Sequence, residues 1–358
     1  MLLGPIVGLL LDRFGARPVM AFGAIVAGIG LILMSFVQNI WYFYVLFAVI
    51  GALGLQEAGH MATSVAVSKW FIRKLGRALA ISSLGVPTGA VVVAPLTGVL
   101  IFLLGWRAAW AALGLILLVF LLPPVLLLVR RSPEDMGLFP DGEDPSFPHA
   151  GSEERTSPVV NTVGSDWTLK AALGTTTLWV LILASNLGGL TRSTLNIHLI
   201  NYIQDLGHPA SVASFIFSMT YVGSILSRAV YGIALERVPV RYCLAGNLLG
   251  QSVGLLFLMV LPFPYGVIPF IIGNGLFGGG FGFISSYAWA NYYGRRFLGS
   301  IRGVHHMFMI SNLAGPVFAA IVRDFSGSYQ GAFFVVIFMG VASAFLMLQA
   351  KRPVRRPG

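Results

Sequence analysis

Three charged side chains fall inside long apolar runs of this chain: Glu57, Arg192 and Arg228. A charge at the centre of a membrane helix costs at least about 2.5–3.5 kcal/mol, so each needs a partner, a watery cavity or a function. The neighbours of the two arginines point to an anion site. Ser185, Gly189, Arg192 and Asn196 are spaced i, i+4, i+7, i+11, and Tyr221, Ser224 and Arg228 are spaced i, i+3, i+7. Each set lies on one face of a helix. A guanidinium presents a planar fork of donors that matches a carboxylate. Two small-polar stripes, each with an arginine, therefore suit a water-filled cavity rather than a lipid face. Arg192 stands thirteen residues before Asp205, roughly 20 Å along a helix and too deep to snorkel. Arg228 stands eight residues before Glu236, about 12 Å, where snorkelling competes with a binding role. His198 and Tyr202, an i, i+4 pair, are further candidates for the site or its gate. Aromatic packing at the membrane interface is their alternative.

Glu57 is a candidate proton carrier, because burial favours the neutral carboxyl; His60 follows three residues later. Glu-x-x-His is also the spacing of di-metal bundles, which need a second copy and two more glutamates. No other glutamate lies in an apolar run, so no metal is expected. Gly273-Asn-Gly275-Leu-Phe-Gly278 matches the dinucleotide fingerprint in its letters. It follows no strand, so its glycines read as close helix contact and bending. Without an acid/base, nucleophile or metal constellation, neither an enzyme nor a cofactor is expected.

The elements that must position these residues are membrane helices. Of 358 residues, 56% are hydrophobic and 10% charged, with mean hydropathy +0.83; a soluble domain carries about 25% charged residues. The apolar runs are too long and too little alternating for barrel strands, so an all-α integral membrane protein is expected. Helices are expected at 19–37, 42–66, 77–102 and 107–129, then at 174–203, 210–234, 241–261, 264–291, 302–322 and 330–350. The intervening 130–170 is rich in Pro, Ser, Gly and acids, and reads as a solvated linker. The lone Cys243 excludes an internal disulfide and a thiolate metal cluster. The net charge of +10 sits in short turns between helices, a membrane pattern rather than a nucleic-acid one. With the turn of Arg13 taken as cytoplasmic, 19 of 23 Lys and Arg fall on that side. Arg107 and Arg323 fall on the other. The positive-inside rule then places the linker and the tail, 351–358, in the cytoplasm of a cell-membrane protein.

A long-period repeat joins these elements. Gly8-Leu-Leu-Leu-Asp12-Arg13-Phe-Gly15-Ala-Arg17 returns as Gly232-Ile-Ala-Leu-Glu236-Arg237-Val-Pro-Val-Arg241, offset by 224 residues at each match. This resembles the signature loop of the major facilitator superfamily. The resemblance implies two pseudo-symmetric helical bundles rocking around a midplane site, here 1–129 and 171–350. In that reading the loop residues Asp12, Arg13, Arg17, Glu236, Arg237 and Arg241 brace a closed gate and do not touch substrate. The second half keeps a run at 178–203 ahead of its loop, and 178 − 224 = −46. Met1–Leu11 therefore reads as the tail of a helix, with the family's first helix lacking and about 11 helices present.

Further stretches are similar to the monocarboxylate-transporter and oxalate/formate-antiporter branch. They are Lys69-Trp-Phe-Ile-Arg73-Lys-Leu-Gly76-Arg77-Ala78 leading to Gly85-Val-Pro-Thr-Gly89 and Pro95, then Gly105-Trp106-Arg107-Ala108-Ala109-Trp110, then Arg131-Ser-Pro133-Glu134-Asp135-Met-Gly137-Leu-Phe-Pro140-Asp141-Gly142. The resemblance implies secondary transport of a small organic anion by a monomer, coupled to H+ or by exchange. Arg228 matches the branch's eighth-helix arginine, but Ser224 stands where the branch has Asp or Asn. Two other functions stay open: an efflux pump for hydrophobic or cationic compounds, with Glu57 as the binding charge, and a non-transporting receptor on a transporter fold.

Overall fold

The computed structural model describes residues 3–142 and 167–354, without the side chains at 52, 55–58, 60, 90 and 94. The apolar runs are helical, as a chain in lipid must be to bond its own backbone. Among the described residues there is no strand. Helices α1 (Gly4–Phe14) and α2 (Ala16–Met34) turn on Gly15 alone, whose φ of +83° favours glycine. Helix α3 (Ile40–Val49) passes through a wide, π-helical stretch, Ile50–Met61, into α4 (Ala62–Trp70). After α5 (Leu75–Ser83), α6 (Gly85–Leu128) is broken at Gly105, φ +76°, between the expected runs 77–102 and 107–129.

Beyond the linker come α7 (Leu169–Leu173), α8 (Thr176–Asp205), α9 (Ala210–Ala234) and α10 (Val240–Val260). Helix α11 (Val267–Ile271) widens over Ile272–Phe277, tightens to a 3-10 turn over Gly278–Gly280 and continues as α12 (Phe281–Tyr293). Helices α13 (Leu298–Phe308), α14 (Ala314–Ser326) and α15 (Gln330–Gln349) complete the chain. Seven helical runs among the described residues are long and apolar enough to cross a membrane. The repeat reaches into the backbone: shifted by 224, the wide stretch at 272–277 falls on 48–53 and overlaps the one beginning at Ile50.

The chain forms two compact units. One comprises 1–75, 88–156 and 294–307; the other comprises 76–87, 157–293 and 308–358. In the first, α1 and α13 cross on small residues. A Cβ on Gly299 would lie 2.5 Å from the Gly8 carbonyl oxygen, and one on Gly303 would lie 2.5 Å from that of Gly4. Such small-xxx-small pairs let membrane helices touch backbone to backbone. In the second, Leu195, Leu199, Tyr202, Ile216, Leu255, Phe270 and Phe333 form a packed core.

Two expectations are corrected. The helix expected at 302–322 begins at Leu298, so Arg302 lies inside it at 4% exposure and is not a loop cation. The start of the linker is folded onto the first unit rather than freely solvated. Asp141 accepts from the backbone N–H groups of Ile72 (2.9 Å) and Arg73 (2.8 Å), and Glu134 pairs with Arg295 at 3.6 Å.

Candidate functional site

The wide stretch in the second unit organises the site. Where Ile272–Phe277 gives way to the 3-10 turn, the backbone leaves the i→i−4 ladder. Three successive carbonyls there accept side-chain donors. Asn247 Nδ2 donates to Phe277, Arg192 Nη1 to Gly278 (2.8 Å) and Arg228 Nη1 to Gly279 (3.2 Å). Glycine matters for the approach, since a Cβ on Gly279 would sit 2.5 Å from Ser224 Cα. The glycine run thus brings the arginine-bearing faces of α8 and α9 onto one short piece of backbone.

Beside it lies a cavity of about 40 Å3, measured for the centre of a water-sized sphere. One water needs about 10–15 Å3 on that measure, so the space suits a ligand of a few heavy atoms. Its polar lining comprises Arg192, Asn196, Thr220, Tyr221, Ser224, Gln251 and Asn274; Leu195, Leu199, Phe217 and Phe270 supply apolar surface. Asn274 Nδ2 is buried without a hydrogen-bond partner. No acid among the described residues lines the cavity, and neither Arg192 nor Arg228 forms an ion pair with a described carboxylate. Two guanidinium charges and a spare donor in an apolar bundle favour an anion.

The two arginines occupy different positions. Arg192 lines the cavity. Arg228 lies behind it, 7% exposed, with Nη1 bonded to Ser224 O (2.5 Å) and Oγ (3.2 Å), and Nε bonded to Ser83 O (3.1 Å). Tyr221 and Ser224 reach the cavity, as does Asn196. His198 and Tyr202 are not among its lining residues. His198 is buried between Tyr329 Oη (3.2 Å) and the Pro316 carbonyl (2.9 Å), and Tyr202 packs edge-on against Phe333 at 4.8 Å. The side chains of Glu57 and His60 lie outside the described residues; their backbone belongs to the wide stretch Ile50–Met61.

The signature loops each clasp the start of a helix that begins Leu-Gly. In the first unit, Asp12 accepts from Gly299 N (2.9 Å), Ser300 N (2.7 Å) and Ser300 Oγ (2.5 Å), capping α13 where the helix dipole favours an anion. Burial pushes the Asp12 carboxyl above its ordinary range, against the pull of these bonds. In the second unit, Glu236 pairs with Arg77 of α5 at 2.8 Å. Arg13 lies over the Phe14 ring and Arg241 over the Tyr242 ring, while Arg17 and Arg237 are exposed.

Sequence reasoning missed Gln251, Asn274 and the carbonyls of Gly278 and Gly279. The signal for Asn274 was an amide inside an apolar glycine run. It also missed Arg302, buried beside Ser64, whose Oγ accepts from Nη1, while Nε has no partner. Its signal was masked by the neighbouring loop cations Arg295 and Arg296.

Membrane-length apolar helices, one unit of which holds a polar cavity, define a multi-pass membrane protein. The chain matches the family model described as Major Facilitator Superfamily over residues 1–293, and it belongs to that superfamily of membrane transporters, which is not an enzyme class. It is 28% identical over 127 residues to the uncharacterised MFS-type transporter YcxA of Bacillus subtilis (strain 168), covering 36% of this chain and 31% of that one. It is 25% identical over 370 residues to monocarboxylate transporter 12 of Rattus norvegicus, covering 98% of this chain and 75% of that one. The stretches matched in YcxA and in the cattle, rat and human monocarboxylate transporters 1 span between 23% and 31% of those relatives' own length. The fold is similar to that of the E. coli fucose:proton symporter FucP, with a TM-score of 0.73 and 15% identity, over 99% of this chain and 88% of that one.

Proposed function

We propose that this transporter carries a small organic anion, a monocarboxylate or related carboxylate, across the cell membrane by alternating access. The carrying observation is the cavity lined by Arg192 and backed by Arg228, with no acid among the described residues of its lining. Arg192 is the direct partner of the carboxylate, and Asn196, Tyr221 and Ser224 shape the space around it. Arg228 holds Gly279 and Ser224 in place and adds its charge from behind. The similarity to monocarboxylate transporters supports the same substrate class. Glu57 is the proposed proton carrier if the cycle is H+-coupled, with anion exchange as the other coupling mode. The linker and the tail face the cytoplasm in this reading, on the strength of the basic residues in the turns. An efflux pump for cations would need a carboxylate in the cavity, and none of the described residues supplies one there. The test is uptake into proteoliposomes with acetate and propionate as probes, against tetraphenylphosphonium. Saturable carboxylate uptake or counterflow is expected. Saturable movement of the cation alone would refute the reading.

A further inference from the structure

A second hollow lies in the first unit, and it is of opposite character. It measures about 250 Å3, and its described lining is apolar, including Ile6, Leu10 and Phe14 of α1, Val19 and Phe22 of α2, and Leu53. From Leu3 to Phe14 it runs roughly 17 Å along the helix, close to half of the approximately 30 Å hydrocarbon core of a bilayer. Its end at Phe14 and Pro18 adjoins the Gly15 turn, where Arg13 and Arg17 are exposed, and the side chain of Arg131 covers Gly15. Arg13 and Arg17 form no ion pair with a described carboxylate. The acid of that turn, Asp12, is engaged on Gly299 and Ser300.

The repeat identifies what this face meets. Shifted by 224, Ile6, Pro18 and Leu53 become Val230, Tyr242 and Phe277, which are 42–54% exposed, whereas Leu3, Val7 and Val19 become Ser227, Tyr231 and Cys243, which are at most 8% exposed. The part of the face at Ile6, Pro18 and Leu53 thus corresponds to an outward-facing part of the second unit. The second unit differs in the groove itself. Tyr242 replaces the compact Pro18, and Arg241 lies 4.8 Å over its ring and donates to its hydroxyl. Aromatic bulk thus occupies both space and the Arg241 cation there, whereas in the first unit Arg13 lies over Phe14 at 5.4 Å and Arg17, the counterpart of Arg241, is exposed.

We propose that the α1–α2 groove is a site for one anionic phospholipid, with an acyl chain along Ile6, Leu10, Val19 and Phe22 and its phosphate on Arg13 and Arg17. The charge of the arginines selects an anionic headgroup, and the apolar groove requires a tail, so free phosphate does not suffice. The site is independent of the substrate cavity.

The test is lipid binding to the full chain in detergent by native mass spectrometry, with phosphatidylglycerol and phosphatidylcholine as probes. One phosphatidylglycerol is expected to be retained in preference to phosphatidylcholine. Arg13→Gln with Arg17→Gln should weaken phosphatidylglycerol at least tenfold and leave phosphatidylcholine unchanged, since each basic residue near an anionic lipid surface contributes roughly a factor of five. Val19→Trp, which fills the groove and touches no charge, should weaken both lipids, and it carries the test if the arginine variant does not fold. Equal retention of the two lipids, a preference that survives the arginine substitutions within twofold, binding unchanged by Val19→Trp, or displacement of the lipid by inorganic phosphate would each overturn the proposal.

Discussion

Substituting the two arginines one at a time should separate a ligand contact from a support. Arg192 donates one bond, from Nη1 to Gly278 O at 2.8 Å, so its other donors remain for a carboxylate in the cavity. Losing a charge-assisted bond costs roughly 1.5–3 kcal/mol, about tenfold to a hundredfold in Kd. Arg192→Gln should show the full loss with little change in melting temperature. Arg192→Lys should fall in between, because an ammonium is a point charge that cannot fork across both carboxylate oxygens. Arg228→Gln should behave differently. It withdraws donors from the carbonyls of Ser83, Ser224 and Gly279. A buried polar group left unpaired costs about 1–3 kcal/mol, so the second unit should melt several degrees lower. The assay is acetate or propionate binding by calorimetry beside thermal melting of the same samples. Carboxylate affinity within twofold of the parent in Arg192→Gln, or a parental melting temperature in Arg228→Gln, would refute these assignments.

Gly299→Ala should loosen the first clasp, because its Cβ would fall 2.5 Å from Gly8 O and 2.7 Å from Asp12 Oδ1. Overpacking of this kind costs about 1–3 kcal/mol, and faster hydrogen exchange at the Gly299 and Ser300 amides is the readout; unchanged exchange counts against it. The Asp12 carboxyl titrates above its ordinary 3.8, so the folded clasp binds a proton more readily than the unfolded chain does. Its contribution to stability should therefore fall as pH rises from about 3.8 through the folded value, and Asp12→Asn should abolish that slope. The two clasps should differ in strength: Asp12 accepts three bonds, whereas Glu236 makes one ion pair to an exposed Arg77 and its Oε1 is buried without a partner. Glu236→Gln should cost under about 1 kcal/mol and Asp12→Asn more, since its amide sets a donor against the Ser300 donors; the reverse order in melting experiments would overturn the comparison.

Much of the architecture was legible in the amino-acid string because lipid leaves few options. Long apolar runs must be helices, and a charged turn repeated 224 residues apart fixes two related halves. The stripes on α8 and α9 were legible for the same reason: a regular helix maps spacing onto faces. What stayed hidden depends on departures from that regularity. The wide stretch at Ile272–Phe277 changes the residues per turn, so no fixed spacing connects Asn274 to Arg192. Backbone carbonyls carry no letter, so those of Gly278 and Gly279 could not be seen as acceptors. Arg302 was misplaced because nearby arginines in a turn pulled the expected helix start forward by four residues. His198 and Tyr202 shared a face with site residues, yet they lie higher on α8, where Tyr329 and Phe333 fill the space.

Positive charge inside an apolar bundle normally calls for a carboxylate beside it. Here backbone carbonyls take the guanidinium N–H groups instead, and that choice has a functional consequence. A carbonyl satisfies the donor and leaves the charge intact, whereas a carboxylate would satisfy both. The branch that this chain resembles sets an acid or amide four residues before the α9 arginine; Ser224 accepts from Arg228 Nη1 at 3.2 Å without cancelling its charge. The cavity therefore keeps an unneutralised field from two arginines, aimed at a space with room for only a few heavy atoms. A ligand that brings its own negative charge completes the pairing the protein withholds. A neutral or cationic ligand of the same size would have to displace water from these donors with nothing to return. On the proposed function, selectivity for an anion would rest on the geometry of a glycine-rich turn as much as on the arginines themselves.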